Sequence, residues 1–147
     1  MIVYKLVSVD GNKFKSSNYS FLVEQERKIN TVLYMSKKSK YILEYIIDIK
    51  TEAITGTKIL CFENLEYIRD FLNMKNKNLY TILKCYAPPN STKAYSRRPH
   101  QTIFYIMASN FKKYWRNINS KDIEFPLGTI FCDYVIPLKE IKIPSRW

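Results

Sequence analysis

Glycine is scarce in this sequence, and its three residues, Gly11, Gly56 and Gly128, lie far apart along the chain. A loop that cradles a phosphate with its backbone amides needs clustered glycines at the start of a helix. No such cluster is present. The sequence therefore excludes a nucleotide site of the P-loop or dinucleotide-binding type.

Residues that usually carry catalysis or bind metals are also few. His100 is the only histidine, and no glycine-rich turn surrounds a serine. Nucleophilic catalysis needs a nucleophile, a base and an orienting group, and no such set is visible. Cys61, Cys85 and Cys132 are widely spaced and each lies in an apolar run, which argues against a zinc site. We expect no enzymatic activity, no metal, no cofactor, and buried free thiols in a reducing compartment.

Long apolar runs are missing as well, and no signal peptide opens the chain. We therefore expect a cytoplasmic protein without a membrane span, in the host cytoplasm if the source is viral. The length of 147 residues fits a single domain over residues 1–147. An apolar fraction of 46% with 15% aromatic residues indicates a packed core and argues against disorder.

Acidic residues are absent from one third of the chain. Residues 71–121 hold ten Lys and Arg but no Asp or Glu, so this basic segment carries +10 of the formal net charge of +11. Such asymmetry predicts an anionic partner: a nucleic acid, a nucleotide or an acidic protein. A basic face that only keeps the protein soluble is the alternative explanation.

Within the basic segment, cations alternate with flat side chains in KAYSRRPH (93–100) and KKYWR (112–116). Cations bind phosphates, flat side chains stack on bases, and arginine does both. The predicted ligand-binding residues are Lys93, Tyr95, Arg97, Arg98, His100, Lys112, Lys113, Trp115 and Arg116. The competing explanation is structural: cations near the end of a helix complement its dipole, and Trp115 packs into the core.

Hydrophobic periodicity predicts an α+β fold: one domain with a curved, mostly antiparallel sheet of six or seven strands and two helices. The expected strands are 1–9, 13–23, 29–35, 41–50, 58–62, 79–87 and 129–136, with an extension to 143. The expected helices are 64–73, capped by Asn64, and 102–116, for which a strand is the alternative. Residues 90–101 are expected to be a polar loop. Turns are expected at 10–12, where the first two strands would form a hairpin, and at 126–128. Pro137 is expected to end a strand at an edge or a bend.

Three segments together resemble a known group. They are the opening strand Val3 to Val7, the strand–turn–helix from Leu60 to Leu72, and the stretch from Phe125 to Ile141. Their order resembles a loose group of small, uncharacterised phage and giant-virus proteins with the pattern YKVV, LLVFxTLExAxxFA and WPxGTxxxxxVxLLxEV. The resemblance implies a shared fold but supplies no catalytic residue. The strand order is also similar to the split sheet of ADP-ribosyltransferases.

These observations lead to three expectations for function. The first is a non-enzymatic, viral-type accessory protein that binds an anionic ligand through the basic segment and acts against a host defence factor. The second is a structural or protein–protein component of a virion or a homo-oligomer. The third is a transferase-like enzyme, for which Glu140 is the candidate acid but the early Arg or His is missing.

Overall fold

The structure is a computed structural model, and it describes residues 1–17, 19–20, 42–72, 77–94 and 125–147. These residues contain nine strands, one complete α-helix and one short 3-10 helix. In chain order the elements are β1 (Ile2–Asp10), β2 (Lys13–Ser16), β3 (Glu44–Tyr45), β4 (Thr51–Glu52), β5 (Ile59–Phe62), α1 (Leu65–Leu72), the 3-10 helix (Lys77–Leu79), β6 (Tyr80–Tyr86), β7 (Thr92–Lys93), β8 (Thr129–Cys132) and β9 (Tyr134–Ile141).

The predicted α+β class is confirmed. Every strand pairing among the described residues is antiparallel, and a helix accompanies the sheet. The finer prediction was wrong for this part of the chain. It contains nine strands where six or seven were expected, and one complete helix where two were expected. The predicted strand 29–35 and the predicted helix 102–116 lie outside the described residues.

The first hairpin forms where it was predicted. β1 and β2 pair around Gly11, whose φ of 61° is a left-handed conformation that glycine adopts without strain. The second strand was predicted to continue to residue 23 but ends at Ser16. The hydroxyl of Ser8 donates to the Ser17 carbonyl and accepts the Ser20 amide, which draws the chain back towards β1. Ser20 is already helical.

Strand β1 lies at the centre of the sheet. The order of the main path is β4-β9-β6-β1-β5-β8-β7. One edge of β1 pairs with β6 along seven residue pairs, from Ile2 to Ser8. The other edge is divided between two partners: Tyr4 pairs with Phe62 of β5, whereas residues 7–10 pair with β2. The sheet therefore splits at the middle of β1.

The prediction of a continuous strand over residues 41–50 was wrong. Within the described residues 42–50 only Glu44 and Tyr45 are in a strand, and the chain then turns at Asp48, whose φ is 65°. The turn is held because the Asp48 amide donates to the Pro137 carbonyl at 2.7 Å. Since β3 pairs with β2 and β4 pairs with β9, residues 44–52 connect two distant edges and curve the sheet around one of its faces.

Both faces of the sheet carry buried side chains. The interior of the curve holds Val3, Val7, Tyr45, Ile59, Cys61, Leu83, Cys85, Ala87, Ile130, Cys132 and Val135. The opposite face packs against α1 through Leu6, Phe62, Ile68, Phe71, Leu72, Tyr80, Ile82, Phe125 and Phe131. The helix begins as predicted, because the Asn64 side chain accepts the Tyr67 amide at 3.3 Å.

The predicted strand from 129 is interrupted, and its predicted extension to 143 ends at Ile141. It breaks at Asp133, and β9 continues through Pro137 to Ile141. Pro137 does not end the strand, and the bend that was predicted there corresponds to a shift in register. The register shifts there, because Lys84 pairs with Lys139 and Cys85 with Pro137, so that Leu138 is an extra residue. Such a β-bulge is one of the positions where a sheet accepts proline.

The predicted turn before β8 depends on Gly128. Its φ is 81°, and a Cβ added there would lie 2.0 Å from the Tyr67 ring. Its carbonyl accepts the Glu63 amide at 2.8 Å, which joins the turn to the start of α1. A side chain at this position would therefore have to displace α1 or the turn.

We expect Gly128→Ala to lower the free energy of unfolding by about 3 kcal/mol, since left-handed strain and overpacking add. Gly56→Ala is the matched control. Gly56 has a φ of 83°, but nothing lies within 4 Å of the added Cβ, so only strain of about 1 kcal/mol is expected. Urea denaturation of both variants measures the difference. Equal losses would show that the contact between Gly128 and Tyr67 does not constrain the fold.

Candidate functional site

The predicted ligand-binding residues fall mostly outside the described residues. Those outside are Tyr95, Arg97, Arg98, His100, Lys112, Lys113, Trp115 and Arg116. Lys93 is described, and its ammonium lies 3.0 Å from a Glu63 carboxylate oxygen on the surface. It belongs to β7, which pairs with β8, although residues 90–101 were expected to be a loop throughout. Exposed ion pairs are weak, so this contact leaves Lys93 available to a ligand.

Two other lysines are brought together by the sheet. Lys84 of β6 pairs with Lys139 of β9, so their side chains leave neighbouring strands on the same face. Among the described residues neither ammonium forms an ion pair with a carboxylate. Like charges directly opposite each other destabilise a sheet. The register therefore places two positive side chains at paired positions of one face.

Aromatic side chains flank the two lysines on the same face. Tyr4 of β1 pairs with Lys84 on the side away from Lys139. Two residues along β6, Tyr86 pairs with Ile2, and its side chain is 39% exposed. Because alternate residues of a strand share a face, these side chains lie on one face, where Tyr4 is half-buried and packs against the core cluster. We call Tyr4, Lys84, Tyr86 and Lys139 the tyrosine–lysine face.

The strand register also shows that no acidic residue occupies the paired positions of this face. Successive rows across β1, β6 and β9 are Ile2–Tyr86–Ile136, then Tyr4–Lys84–Lys139, then Leu6–Ile82–Ile141. None of these nine positions is acidic. The first row is apolar and partly exposed, the second is basic, and the third is apolar with Leu6 and Ile82 in the core. The face is thus a basic and aromatic strip beside a closed core.

A second unusual group lies on the interior face. Lys5 of β1 is only 6% exposed, and its ammonium donates to the Leu60 carbonyl at 2.9 Å. The Tyr45 ring centroid is 5.7 Å from the same ammonium. Among the described residues no carboxylate pairs with it. Burial lowers the pKa of Lys5, and the neighbouring thiols oppose that change, since a negative sulfur would stabilise the ammonium.

Three thiols share the interior face with Lys5, as the sequence predicted for buried free cysteines. Cys61, Cys85 and Cys132 are all free and buried. Burial raises the pKa of Cys85 to about 12. Burial and a hydrogen bond to Cys132 raise the pKa of Cys61. The same bond lowers the pKa of Cys132. Among the described residues no group of His, Cys, Asp or Glu is arranged to hold a metal ion.

Glu140, the acid considered for a transferase, also faces the interior. It pairs with Leu83 of β6, and Leu83 pairs with Lys5 of β1. Two strand spacings of roughly 4.8 Å each separate the two backbones, so Glu140 is about 10 Å from Lys5 across the sheet. The two residues form no ion pair, and the half-buried Glu140 faces an apolar neighbour.

An open depression lies at the turn between β4 and β5. Its volume is about 410 Å³, and it is lined by residues 52–58 and Asp133. Lys58 and Asp133, which line it, form an ion pair with each other. The side chains that would bind a charged ligand there already neutralise one another. This depression is therefore a weaker candidate than the tyrosine–lysine face.

Comparisons with protein-family models, with curated proteins and with solved structures gave no match. The resemblance to phage and giant-virus proteins thus stays a prediction. Within the part of the chain that the structure describes, no helix is long and apolar enough to cross a membrane.

Sequence reasoning missed the pair of Lys84 and Lys139 and also missed the buried Lys5, for different reasons. Lys84 was counted in the basic segment, but Lys139 lies outside it, and only the strand register shows that the two are opposite. Lys5 did carry a signal, because it alternates with Val3 and Val7 and must share their buried face. A lysine in a strictly alternating apolar strand is therefore a pattern that sequence reasoning can use.

The lowered pKa of Lys5 predicts how stability depends on pH. The unfolded chain binds this proton more tightly than the folded protein does. The cost of burying the ammonium is therefore present at neutral pH and disappears as the pH rises towards the ordinary lysine pKa of 10.5. Relative to Lys5→Met, the unmodified protein should gain stability between pH 7 and pH 10. Urea denaturation across that range measures the difference, and parallel pH profiles would contradict a buried, charged Lys5.

Proposed function

We propose that this protein is a non-enzymatic binder of an anionic ligand, and that the ligand is a nucleic acid. The observation that carries the proposal is the pairing of Lys84 with Lys139 beside Tyr4. Lys84 belongs to the basic segment 71–121, whereas Lys139 lies outside that segment. The strand pairing brings the two lysines to one surface. Phosphates and bases are the two groups that such a surface accommodates together.

The electrostatic argument concerns the two ammonium groups. Two like charges at neighbouring strand positions repel, and no acid at the nearby positions of this face compensates them. A phosphate between them would interact with both and convert a repulsive pair into a binding site. Lys84 is half-buried, so its charge is less screened by water than that of an exposed lysine. Binding should accordingly weaken as salt is added.

The aromatic argument concerns shape. Tyr4 and Tyr86 lie on neighbouring strands, two residue positions apart along the sheet, on the same face as the lysines. Bases stack on aromatic side chains irrespective of sequence, and each stack is worth about 1–3 kcal/mol. An open sheet surface suits a single strand, whose bases are free to splay, better than a closed duplex. The ligand proposed is therefore single-stranded RNA or DNA without strong sequence preference.

The biological setting rests on the resemblance to small phage and giant-virus proteins. A viral accessory protein of this kind would act in the host cytoplasm by sequestering a nucleic acid or by blocking a host defence factor that recognises one. The predicted residues Tyr95, Arg97 and Arg98 would extend the binding surface beyond the described residues. The transferase alternative is weaker, because β1 contains no Arg or His.

One observation favours a protein–protein component as the second candidate. Ile2, Tyr86 and Leu138 are exposed to 43%, 39% and 40%; Ile2 and Tyr86 pair with each other, and Leu138 is the extra residue at the bulge of β9. Exposed apolar side chains that cluster in this way are typical of protein contacts. A homo-oligomer formed through them would cover the tyrosine–lysine face. Sedimentation equilibrium measures the mass of the protein in solution. A monomer leaves the tyrosine–lysine face accessible, as the nucleic-acid proposal requires, whereas an oligomer formed through these residues favours the second candidate.

The first test replaces the paired lysines. In the double variant Lys84→Gln and Lys139→Gln, affinity for labelled oligothymidine and oligouridine should fall. The slope of log affinity against log salt should shrink by about 1.4, because two phosphate contacts are lost on a single strand. Fluorescence anisotropy at several salt concentrations measures both quantities.

The matched control is Lys50→Gln with Lys58→Gln. It removes the same charge, but these lysines are engaged by Glu52 and Asp133 away from the tyrosine–lysine face. It should leave the salt slope nearly unchanged. An equal loss in both double variants would mean that net charge alone attracts the oligonucleotide. Affinity that is insensitive to salt in the unmodified protein would overturn the proposal.

A separate test addresses the predicted arginines. Replacing Arg97 and Arg98 with Ala should weaken oligonucleotide binding, since arginine both pairs with phosphate and stacks on bases. The thermal unfolding midpoint should stay within a few degrees of that of the unmodified protein if the two arginines serve binding and not the fold. Loss of the cooperative unfolding transition would instead assign the pair a structural role.

A further inference from the structure

The β-bulge in β9 brings two successive side chains to the same face of the sheet. Cys85 pairs with Pro137 and Lys84 pairs with Lys139, so Leu138 has no partner in the ladder between β6 and β9, which the structure describes throughout. Pro137 is buried opposite Cys85 on the interior face. Because side chains alternate along a strand, Leu138 faces outward. Lys139 also faces outward, because it lies opposite Lys84.

The bulge also decides which charge reaches the outer face. If the alternation of residues 134–137 continued, Lys139 would face the interior and Glu140 would face outward. The extra residue reverses this arrangement, since Lys139 lies opposite Lys84 and Glu140 lies opposite the interior Leu83. The bulge therefore keeps an acid away from the tyrosine–lysine face and adds an apolar side chain to that face.

Leu138 is an exposed apolar side chain beside two cations. It is 40% exposed, and along β9 it lies between the residue opposite Tyr86 and the residue opposite Lys84. It is therefore a diagonal neighbour of both across the strand pair. Tyr86 and its partner Ile2 are similarly exposed, at 39% and 43%. A polyanion without bases would use the lysines alone, whereas a nucleotide carries a flat base next to its phosphate and would use the apolar side chains as well.

We propose that Leu138 is a specificity-determining residue, through which the tyrosine–lysine face distinguishes single-stranded nucleic acid from other polyanions. This proposal rests on the proposed function and adds to it the contact with the base. Lys84 and Lys139 bind the phosphates, and a base lies against Leu138 beside Tyr86. The contact removes apolar surface of the leucine and of the base from water. It requires no particular sequence, since every base has a flat face.

The experiment compares two polymers of equal length and equal backbone charge. One is labelled oligothymidine, and the other is an abasic oligonucleotide in which tetrahydrofuran units replace the nucleosides. Fluorescence anisotropy measures both affinities at several salt concentrations. The unmodified full-length protein should bind oligothymidine at least roughly tenfold more tightly than the abasic polymer, because only oligothymidine supplies bases for stacking.

Two substitutions at Leu138 should change this preference in opposite directions. Leu138→Ala should weaken oligothymidine binding roughly fivefold, because less apolar surface is buried. Leu138→Trp should tighten it roughly fivefold, because an indole stacks on a base. In both variants the affinity for the abasic polymer and the slope of log affinity against log salt should stay unchanged, since both lysines remain.

The matched control is Ile49→Ala. Ile49 is 54% exposed and belongs to the turn between β3 and β4, away from the tyrosine–lysine face, so its removal should leave both affinities unchanged. Circular dichroism confirms that each variant is folded, as expected for substitutions at exposed positions.

The outcomes separate this proposal from the proposed function. If the unmodified protein binds neither polymer, both are overturned. If it binds oligothymidine with the expected salt dependence but Leu138→Ala and Leu138→Trp leave the ratio of the two affinities unchanged, only the role of Leu138 is overturned. If Leu138→Ala instead lowers the mass found by sedimentation equilibrium and leaves that ratio unchanged, Leu138 serves a contact between copies of the chain, which also overturns the proposal.

Discussion

The structure depends on the way in which β1 changes its pairing partner along one edge. Its other edge pairs continuously with β6, which fixes β1 as the centre of the sheet. Along the divided edge, β5 pairs near Tyr4 and β2 pairs beyond it, so two sheets diverge from one strand. Residues 44–52 then connect β2 to β9 across one face. This curvature creates an enclosed interior, and it explains why a side chain at the division is buried rather than solvated.

Lys5 lies at that division, and its environment follows from the geometry. β1 and β5 pair through Tyr4 and Phe62, and Lys5 is the residue that follows Tyr4 in β1. Its ammonium reaches the Leu60 carbonyl of β5, so a backbone acceptor is satisfied by a side chain where strand pairing ends. A buried ammonium without a partner would be very costly, but this one has a carbonyl, an aromatic ring and polarisable thiols around it. The division of β1 therefore accounts for the interior group.

The sequence predicted elements whose signals are local. The hairpin at Gly11, the turn at Gly128 and the helix after Asn64 depend on single residues with strong conformational or capping preferences. It failed where a distant contact decides the local structure. Residues 41–50 alternate like a strand, yet the Asp48 amide is bound by Pro137, about ninety residues later. The candidate site was hard to predict for the same reason, because Lys84 and Lys139 meet only through the register of β6 and β9.

Among the described residues, Lys5 and the pair of Lys84 and Lys139 have no carboxylate partner, but their surroundings differ. Lys5 has its hydrogen-bond acceptor and its aromatic contact within the fold, so nothing external is needed to stabilise it. The pair Lys84 and Lys139 has the opposite arrangement, because the register fixes two cations side by side and provides no acid at the neighbouring positions of that face. Like charges at paired strand positions repel, and a bound anion would reduce that repulsion. The proposed anionic ligand therefore belongs to the face of Lys84 and Lys139, whereas the interior lysine needs no external partner.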